Sequence, residues 1–280
     1  MTIDIICPLY NAEDYIESLN ESFKKQKDVK LNKIHYILTE SNDNTEKILK
    51  DKKLDYKKIK KSEFSHSLVR EKAVYESKAD IVVFVTQDVQ IKREDWLYYL
   101  TKDINGEIVA TYSRQLPKYN NIEKYTREKN YPSVSSIVSK KDLDILGLRT
   151  FFFSDASSAI KRDVFVKLNG YDNKDLPISE DMYIAYKIIM NGYKIKYCAE
   201  SEVIHSHKFT LKQIYDRYKL TGQFFKENSY LDKYGTNKSG GNLAFYVLRR
   251  SIQEFNIAAL LRFVPDMGAR FIGMKVGKKQ

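Results

Sequence analysis

The chain has 280 residues, 42% of them hydrophobic and 13% aromatic, with 21 tyrosines, which is enough apolar mass for a packed core and argues against a disordered polypeptide. Lysine and arginine outnumber the acids 48 to 37, and the net charge of +11 calls for an anionic partner: nucleotide phosphates, an anionic membrane surface or nucleic acid. Two isolated cysteines, Cys7 and Cys198, and the lack of any run of ~20 apolar residues argue against a disulfide scaffold and against a membrane span.

Thr2 to Cys7 reads as a short buried strand. Asp4 lies inside this first apolar run and no basic leader precedes it, so a signal peptide is not expected and the chain reads as cytosolic or peripheral. Pro8-Leu9-Tyr10-Asn11 follows, and Asn11 with Asp14 three residues on predicts a capping box for a helix whose Ile16, Leu19 and Phe23 share one face. A second strand over Ile34 to Thr39 leads into ESNDNT and a helix near Glu46 to Lys52. The charged stretch DKKLDYKKIKK hides a weak third strand, His66 to Ser77 reads as a helix, and Asp80 to Thr86 as a strongly apolar strand. This alternation predicts an α/β fold: a mostly parallel sheet with helices on both faces.

Further on, a strand is expected over Ile108 to Tyr112, while Pro117 to Thr150 has no clear period and accommodates helices and a mobile loop. A helix starts near Lys161 and ends at the C-cap pair Asn169-Gly170. The next has Ser179 as N-cap, Glu180 and Asp181 in its first turn, and Gly192 as its stop. A strand over Ser201 to Ile204 ends in His205-Ser206-His207. From Phe209 the pattern is helical, apart from a polar break over Tyr234 to Asn242. The chain thus divides into an α/β domain over residues 1–210 and a basic helical segment over 211–280.

In parallel α/β sheets, ligands bind beyond the carboxyl ends of the strands. Here those ends carry Pro8 to Asn11, then Glu40-Ser41-Asn42-Asp43, then Gln87-Asp88, so acidic and amide groups converge on one edge.

The ordered set PLYN, ESND, TQD, SED and HSH resembles glycosyltransferase family 2 over about residues 1 to 210. EFSHSLVREKAV with VTQDV further resembles its bacterial rhamnosyltransferase branch. The resemblance implies the GT-A fold and metal-dependent, inverting transfer of a sugar from a nucleotide diphosphate to a hydroxyl acceptor. Three positions depart from the pattern: Glu71 where asparagine is common after the arginine, Glu40 where aspartate is usual, and Gln87-Asp88-Val89 where a D-x-D motif is expected.

Under that resemblance, Asp88 is the candidate ligand for Mg2+ or Mn2+, hard ions that favour carboxylate oxygen, with His205 or His207 joining it and the Gln87 carbonyl assisting. Asp181 is the candidate general base, held charged at a helix N-terminus, and Glu180 orients the acceptor. Pro8, Tyr10, Asn11, Glu40, Asn42 and His66 are expected around the donor, and Arg70 pairs with its phosphates or, more plainly, with Glu71 or Glu76. Trp96 stacks on the acceptor or lies in the core, and Ser154 and Asp155 line the acceptor site. The branch resemblance favours deoxythymidine-diphosphate rhamnose as donor, with a uridine-linked hexose or hexosamine as the alternative.

The acceptor is expected to be a glycan or a lipid-linked glycan of a cell-surface polysaccharide such as a capsule. In the tail, Leu248, Ile252, Phe255 and Ala259 fall on one helical face beside Arg249, Arg250 and Arg262, which suits an anionic membrane or packing on the domain. A nucleic-acid-binding protein is disfavoured because no such motif is present and the basic residues are dispersed. A nucleotidyltransferase usually has a glycine-rich loop after its first strand, and PLYN is not one.

Overall fold

The computed structural model describes the backbone of residues 1–280 and the side chains of all but residues 236–240. Its strands are β1 (Thr2–Leu9), β2 (Lys30–Thr39), β3 (Tyr56–Ile59), β4 (Ile81–Val85), β5 (Ile108–Leu116), β6 (Ser136–Val138), β7 (Ser157–Lys161) and β8 (Lys194–Ile204). They form one sheet in the order β3-β2-β1-β4-β7-β5-β8-β6. Parallel pairing joins β1 to β2 and β4, β2 to β3, and β5 to β8. β7 runs antiparallel between β4 and β5, and β6 is antiparallel on β8.

The helices are α1 (Ile16–Lys24), α2 (Thr45–Asp51), α3 (His66–Glu76), α4 (Trp96–Thr101), α5 (Ile122–Asn130), α6 (Leu143–Leu146), α7 (Arg162–Lys167), α8 (Glu180–Met190), α9 (Leu211–Glu227), α10 (Thr236–Gln253) and α11 (Ile257–Lys279). Strand alternation decides where they sit. Ile3, Ile5, Cys7 and Leu9 of β1, with Ile81, Val83 and Val85 of β4, pack with Ile16, Leu19 and Phe23 of α1 and Leu97 and Leu100 of α4. The opposite residues Ile6, Val82 and Phe84 meet Val69 and Ala73 of α3, Phe165 of α7 and Ile184 and Ile188 of α8. Both faces of the central strands are therefore covered, as the apolar runs predict.

Several expected boundaries shift. The Asn11 and Asp14 capping box does not form: α1 starts at Ile16, and Tyr15 stands at its N-cap without a side-chain bond. Asn11 instead sits at φ 47, and its Oδ1 accepts the Asn42 N–H at 3.0 Å, tying the β1 loop to the β2 loop. Ser65 caps α3, its Oγ accepting the Leu68 N–H. β7 has no counterpart in the sequence reading, because Ser-Ser-Ala-Ile-Lys contains no apolar run; its small buried residues fit it between β4 and β5. β8 begins seven residues early, where Ile195 and Tyr197 alternate inward with Lys194 and Lys196. The segment Pro117 to Thr150 contains helices as expected, α5 and α6, with the unexpected strand β6 between them. Of the break expected over Tyr234 to Asn242, Gly235 turns the chain at φ 82, and the side chains of 236–240 lie outside the described residues.

The C-terminal helices pack on the domain. Phe224 and Phe225 of α9 enter the main core, and Val247 and Ala259 close a smaller core against Ile122 and Tyr125 of α5. α9 and α11 run side by side at glycine-mediated distance. A Cβ at Gly273 would come within 2.5 Å of the Tyr215 carbonyl oxygen, and one at Gly277 would collide with the Lys219 carbonyl. Gly277→Ala should therefore force the helices apart and cost about 1–3 kcal/mol, read as a Tm several degrees lower in a calorimetric scan. An unchanged Tm would mean that these helices do not touch there.

Candidate active site

A cavity of about 960 Å³ opens at the carboxyl edge of the sheet. The β4 and β8 ends are held together by an isolated bridge in which Gln90 and Ile204 exchange two backbone hydrogen bonds of 2.9 Å. This sets Asp88 beside the histidines that follow β8. Its Oδ1 lies 3.5 Å from His205 Nε2 and its Oδ2 lies 3.4 Å from His207 Nδ1. One ligand atom from each of the three lies within 4.8 Å of the others.

The protonation of this cluster follows from its neighbours. Gln115 Oε1 accepts from Arg127 Nη1 and lies 2.9 Å from His205 Nδ1. A carbonyl oxygen only accepts, so His205 carries its proton on Nδ1 and turns the Nε2 lone pair toward Asp88. Two acceptors then face each other across 3.5 Å, an arrangement that a metal ion between them would stabilise. Burial, reinforced by His205, lowers the His207 pKa to about 4. Burial alone would raise Asp88, but the two imidazoles beside it, whose protonated forms favour its charge, hold it below the ordinary carboxylate range. One carboxylate and two imidazole nitrogens fit a divalent ion, and the nitrogen ligands favour Mn2+ over Mg2+, which demands oxygen.

Across the cavity, the first turn of α8 presents Glu180 and Asp181. Ser179 stands at the N-cap in a left-handed conformation, φ 63, and its side chain does not cap the helix. A non-glycine residue there costs free energy and is held by its surroundings. The hold comes from α3. Arg70, 2% exposed, donates to the His66 carbonyl at 2.8 Å and pairs with Glu180 at 3.2 Å. Neither Glu71 nor Glu76 is its partner, and its Nη1 is committed to Glu180 and His66. Glu71 Oε1 accepts the Tyr171 N–H at 2.6 Å and fixes the loop ahead of α8. That close approach requires Gly170, φ 44, where a Cβ would meet the Glu71 carboxylate.

Asp155 completes the acid group. It is buried, and accepts from Ser158 Oγ at 2.8 Å and Tyr171 Oη at 3.0 Å. Burial pushes its pKa up to about 6, with Glu180 adding and Arg70 opposing. Asp181 reverses the expectation of a base held charged by the helix N-terminus. Burial and the charges of Glu180 and Asp155 push its pKa well above the ordinary carboxylate value. Two like charges and a dry site outweigh a helix-end effect of typically 0.3–1 kcal/mol.

The donor-side residues divide. Pro8, Tyr10, His66, Gln87 and Asp88 line the cavity, as do Ser154 and Asp155. Gln87 is not free to ligate: its Oε1 accepts the Tyr10 N–H at 2.7 Å and its Nε2 donates to the Tyr10 carbonyl at 2.8 Å, locking the β1 and β4 loops together. Glu40 and Asn42 are exposed on the β2 loop and do not line the cavity; Lys61, bonded to Glu40 through its N–H, does. Burial and the cations Arg70 and Arg217 keep His66 neutral, its pKa lowered to about 3. Trp96 is fully buried, its indole N–H donating to Ser113 and Ser157 at 3.1 and 3.2 Å, so it is a core residue with no access to an acceptor. Sequence reasoning missed Gln115 and Arg127, whose only signal is that β5 ends in register with the strand carrying the histidines. It also missed the α9 contribution of Ile214, Arg217 and Tyr218 to the cavity wall.

Comparison with known proteins agrees with this geometry. The family model for Glycosyl transferase family 2 matches residues 4–168. The chain is 32% identical over 292 residues to the O-antigen chain rhamnosyltransferase RfbN of Salmonella typhimurium, covering 99% of this chain and 90% of that protein. It is equally identical to the O-antigen chain rhamnosyltransferase WbaN of Salmonella anatum, over 98% of this chain and 88% of the relative. Its fold is shared with the mannosyltransferase PcManGT of Pyrobaculum calidifontis, solved with GDP-Man and Mn2+, at TM-score 0.64 and 15% identity over 99% of this chain and 86% of that one. It is shared as well with residues 1–349 of S. aureus TarS, solved with UDP-GlcNAc, at TM-score 0.57 and 14% identity over 100% and 92% of the two chains. The expected GT-A architecture is thus the one observed, and with a family match over more than half of its length and relatives aligned along nearly all of it, the chain belongs to glycosyl transferase family 2 and is a glycosyltransferase.

Proposed function

We propose that the chain is an inverting, metal-dependent transferase that moves rhamnose from deoxythymidine-diphosphate rhamnose to a glycan or lipid-linked acceptor in cell-surface polysaccharide synthesis, working at the inner face of the membrane. One observation carries the reading of the chemistry: a half-buried carboxylate of raised pKa and a cluster competent for a divalent ion line the same cavity.

Asp181 accepts the proton of the acceptor hydroxyl as that oxygen forms its bond to the anomeric carbon and the bond from that carbon to the phosphate oxygen breaks. A raised pKa suits this role, because a base works best when its pKa lies near the operating pH. Glu180 and Arg70 position α8, and Asp155 sets the field around it. Asp88, His205 and His207 would hold the divalent ion, which neutralises the charge of the diphosphate leaving group when bound. The donor reading is supported by the two relatives named as rhamnosyltransferases and by an apolar stretch of wall, Phe64, Phe152, Pro177 and Ile178, suited to a methyl group in place of a hydroxymethyl.

Asp181→Asn should lower kcat by about 100-fold or more while nucleotide binding stays near normal; near-wild-type transfer would remove Asp181 as the base. Because the pKa of Asp181 is raised, the residue is still protonated in the ordinary carboxylate range, so kcat should fall with decreasing pH at a value above about 4. Asp155→Asn removes a neighbouring negative charge and should move that limb to lower pH.

Asp88→Ala and His205→Ala should abolish the Mn2+ dependence of nucleotide binding in a thermal-shift titration. Full activity in excess chelator would exclude the metal. Competition between thymidine- and uridine-diphosphate sugars at equal concentration tests the donor. An apolar pocket rejects an added hydroxyl by only ~100-fold, so weak use of other thymidine-linked hexoses is compatible with the reading. A clear preference for a uridine-linked sugar would overturn the donor and leave Asp181 standing.

A further inference from the structure

The apolar face expected in the tail is exposed only in part, at Ile252 and Phe255. Ala259 is buried in the contact with α5, and Leu248 is half-buried. α11 instead buries Ala259, Asp266, Gly273 and Gly277 on one side and leaves Ile257, Leu261, Val264 and Phe271 exposed on another, at 68%, 78%, 74% and 68%. Their spacings of four, three and seven place them in one stripe about 20 Å long. Phe255, in the turn before α11, is 86% exposed at φ 51. A bulky residue in that conformation is uncommon and strained, and here the strain turns an aromatic ring into solvent beside the stripe.

Charge selects the occupant of this face. Residues 243–280 carry seven basic residues and two acids, Glu254 and Asp266. Both acids are already paired, Glu254 with Lys124 and Arg250, and Asp266 with Arg262 and Arg270. Arg249, Lys275 and Lys279 are exposed and make no ion pair among the described residues. A second copy of the chain packed on the stripe would oppose these cations to one another with no acid left to balance them. Anionic lipid headgroups balance them while the acyl boundary takes the apolar side chains. Among the described residues no helix is long and apolar enough to cross the membrane, so contact would be in the plane of the surface.

We infer that the stripe Ile257, Leu261, Val264 and Phe271, with Phe255 and the flanking cations, is a docking surface for an anionic lipid bilayer. The same helix contributes Arg270 to the cavity wall. Docking therefore ties the cavity to the membrane surface, where a lipid-linked acceptor resides. The inference rests on the glycosyltransferase reading for that consequence alone; the surface itself can be tested without catalysis.

The full-length chain should sediment with vesicles containing phosphatidylglycerol and not with pure phosphatidylcholine, and added salt should weaken the binding. The triple substitution L261S/V264S/F271S should lower the bound fraction roughly tenfold or more, as expected from the apolar area lost. K275E/K279E should lower it at an unchanged Tm. All five side chains are exposed, and transfer to a short soluble acceptor should persist in both variants, while transfer to an acceptor embedded in vesicles falls. Failure of the wild type to bind anionic vesicles, or equal binding by the triple variant, would overturn the inference. So would a wild-type dimer in analytical ultracentrifugation that the triple variant converts to monomer without any vesicle binding.

Discussion

Asp155, Glu180 and Asp181 are gathered in a site with little water, and the guanidinium of Arg70 is the positive charge set among them. Burying carboxylates without compensation is costly, and breaking a buried pair by removing one partner costs about 3–5 kcal/mol. Much of the local architecture follows from that constraint. α3 must lie where Arg70 reaches Glu180, so its Ser65 cap and the loop ahead of α8 are fixed together, through Ser67 bonded to Lys174 and Leu176 and through Glu71 bonded to Tyr171. Ser179 then takes a left-handed conformation that the sequence alone would not choose.

The compensation is incomplete, and under the role proposed for Asp181 the remainder has a chemical use. One cation among three acids satisfies Glu180 directly and leaves Asp181 and Asp155 with raised pKa values. A general base needs a raised pKa more than it needs a stable charge. Glu71, where asparagine is common in the resembling branch, fits the same logic: it accepts backbone N–H groups at Tyr171 and Asn173 instead of adding its charge to the acid cluster.

The sequence was legible wherever one local pattern decided the outcome. Continuous apolar runs marked β1 and β4, and the ordered short motifs marked the carboxyl edge, so Asp88, the histidines and Asp181 could be named before any coordinates. It was illegible where the outcome depended on a partner distant in the chain. Arg70 could be read as a phosphate ligand or as a partner of Glu71 or Glu76, because Glu180 is 110 residues away. Gln87 read as a metal ligand because nothing local reveals its exchange with the Tyr10 backbone. Trp96 could be read as an acceptor platform or as core, because the serines that receive its indole N–H come from β5 and β7. β7 itself was missed because small residues carry no periodic signal, although its position between β4 and β5 makes burial obligatory.

The boundary at residue 210 separates the motif-bearing region from the tail in sequence, and yet the cluster of Asp88, His205 and His207 depends on both sides of it. Arg270 of α11 lies 3.7 Å from Glu123 of α5, and Glu123 lies 3.3 Å from Arg127 one turn on. Arg127 donates to Gln115, and Gln115 fixes the Nδ1 proton of His205 and thereby the direction of its Nε2 lone pair. Each link is a charged or hydrogen-bonded contact between side chains that are at most half-buried to buried, where such contacts keep more of their strength than at an open surface. α5 is in turn clamped to the tail by Lys124 and Tyr125 on Glu254 and by Asn256 on Tyr125. The tail is thus continuous with the support of the histidine. A ligand that immobilised α11, whether lipid or protein, would act on the same contacts that orient the metal-competent cluster.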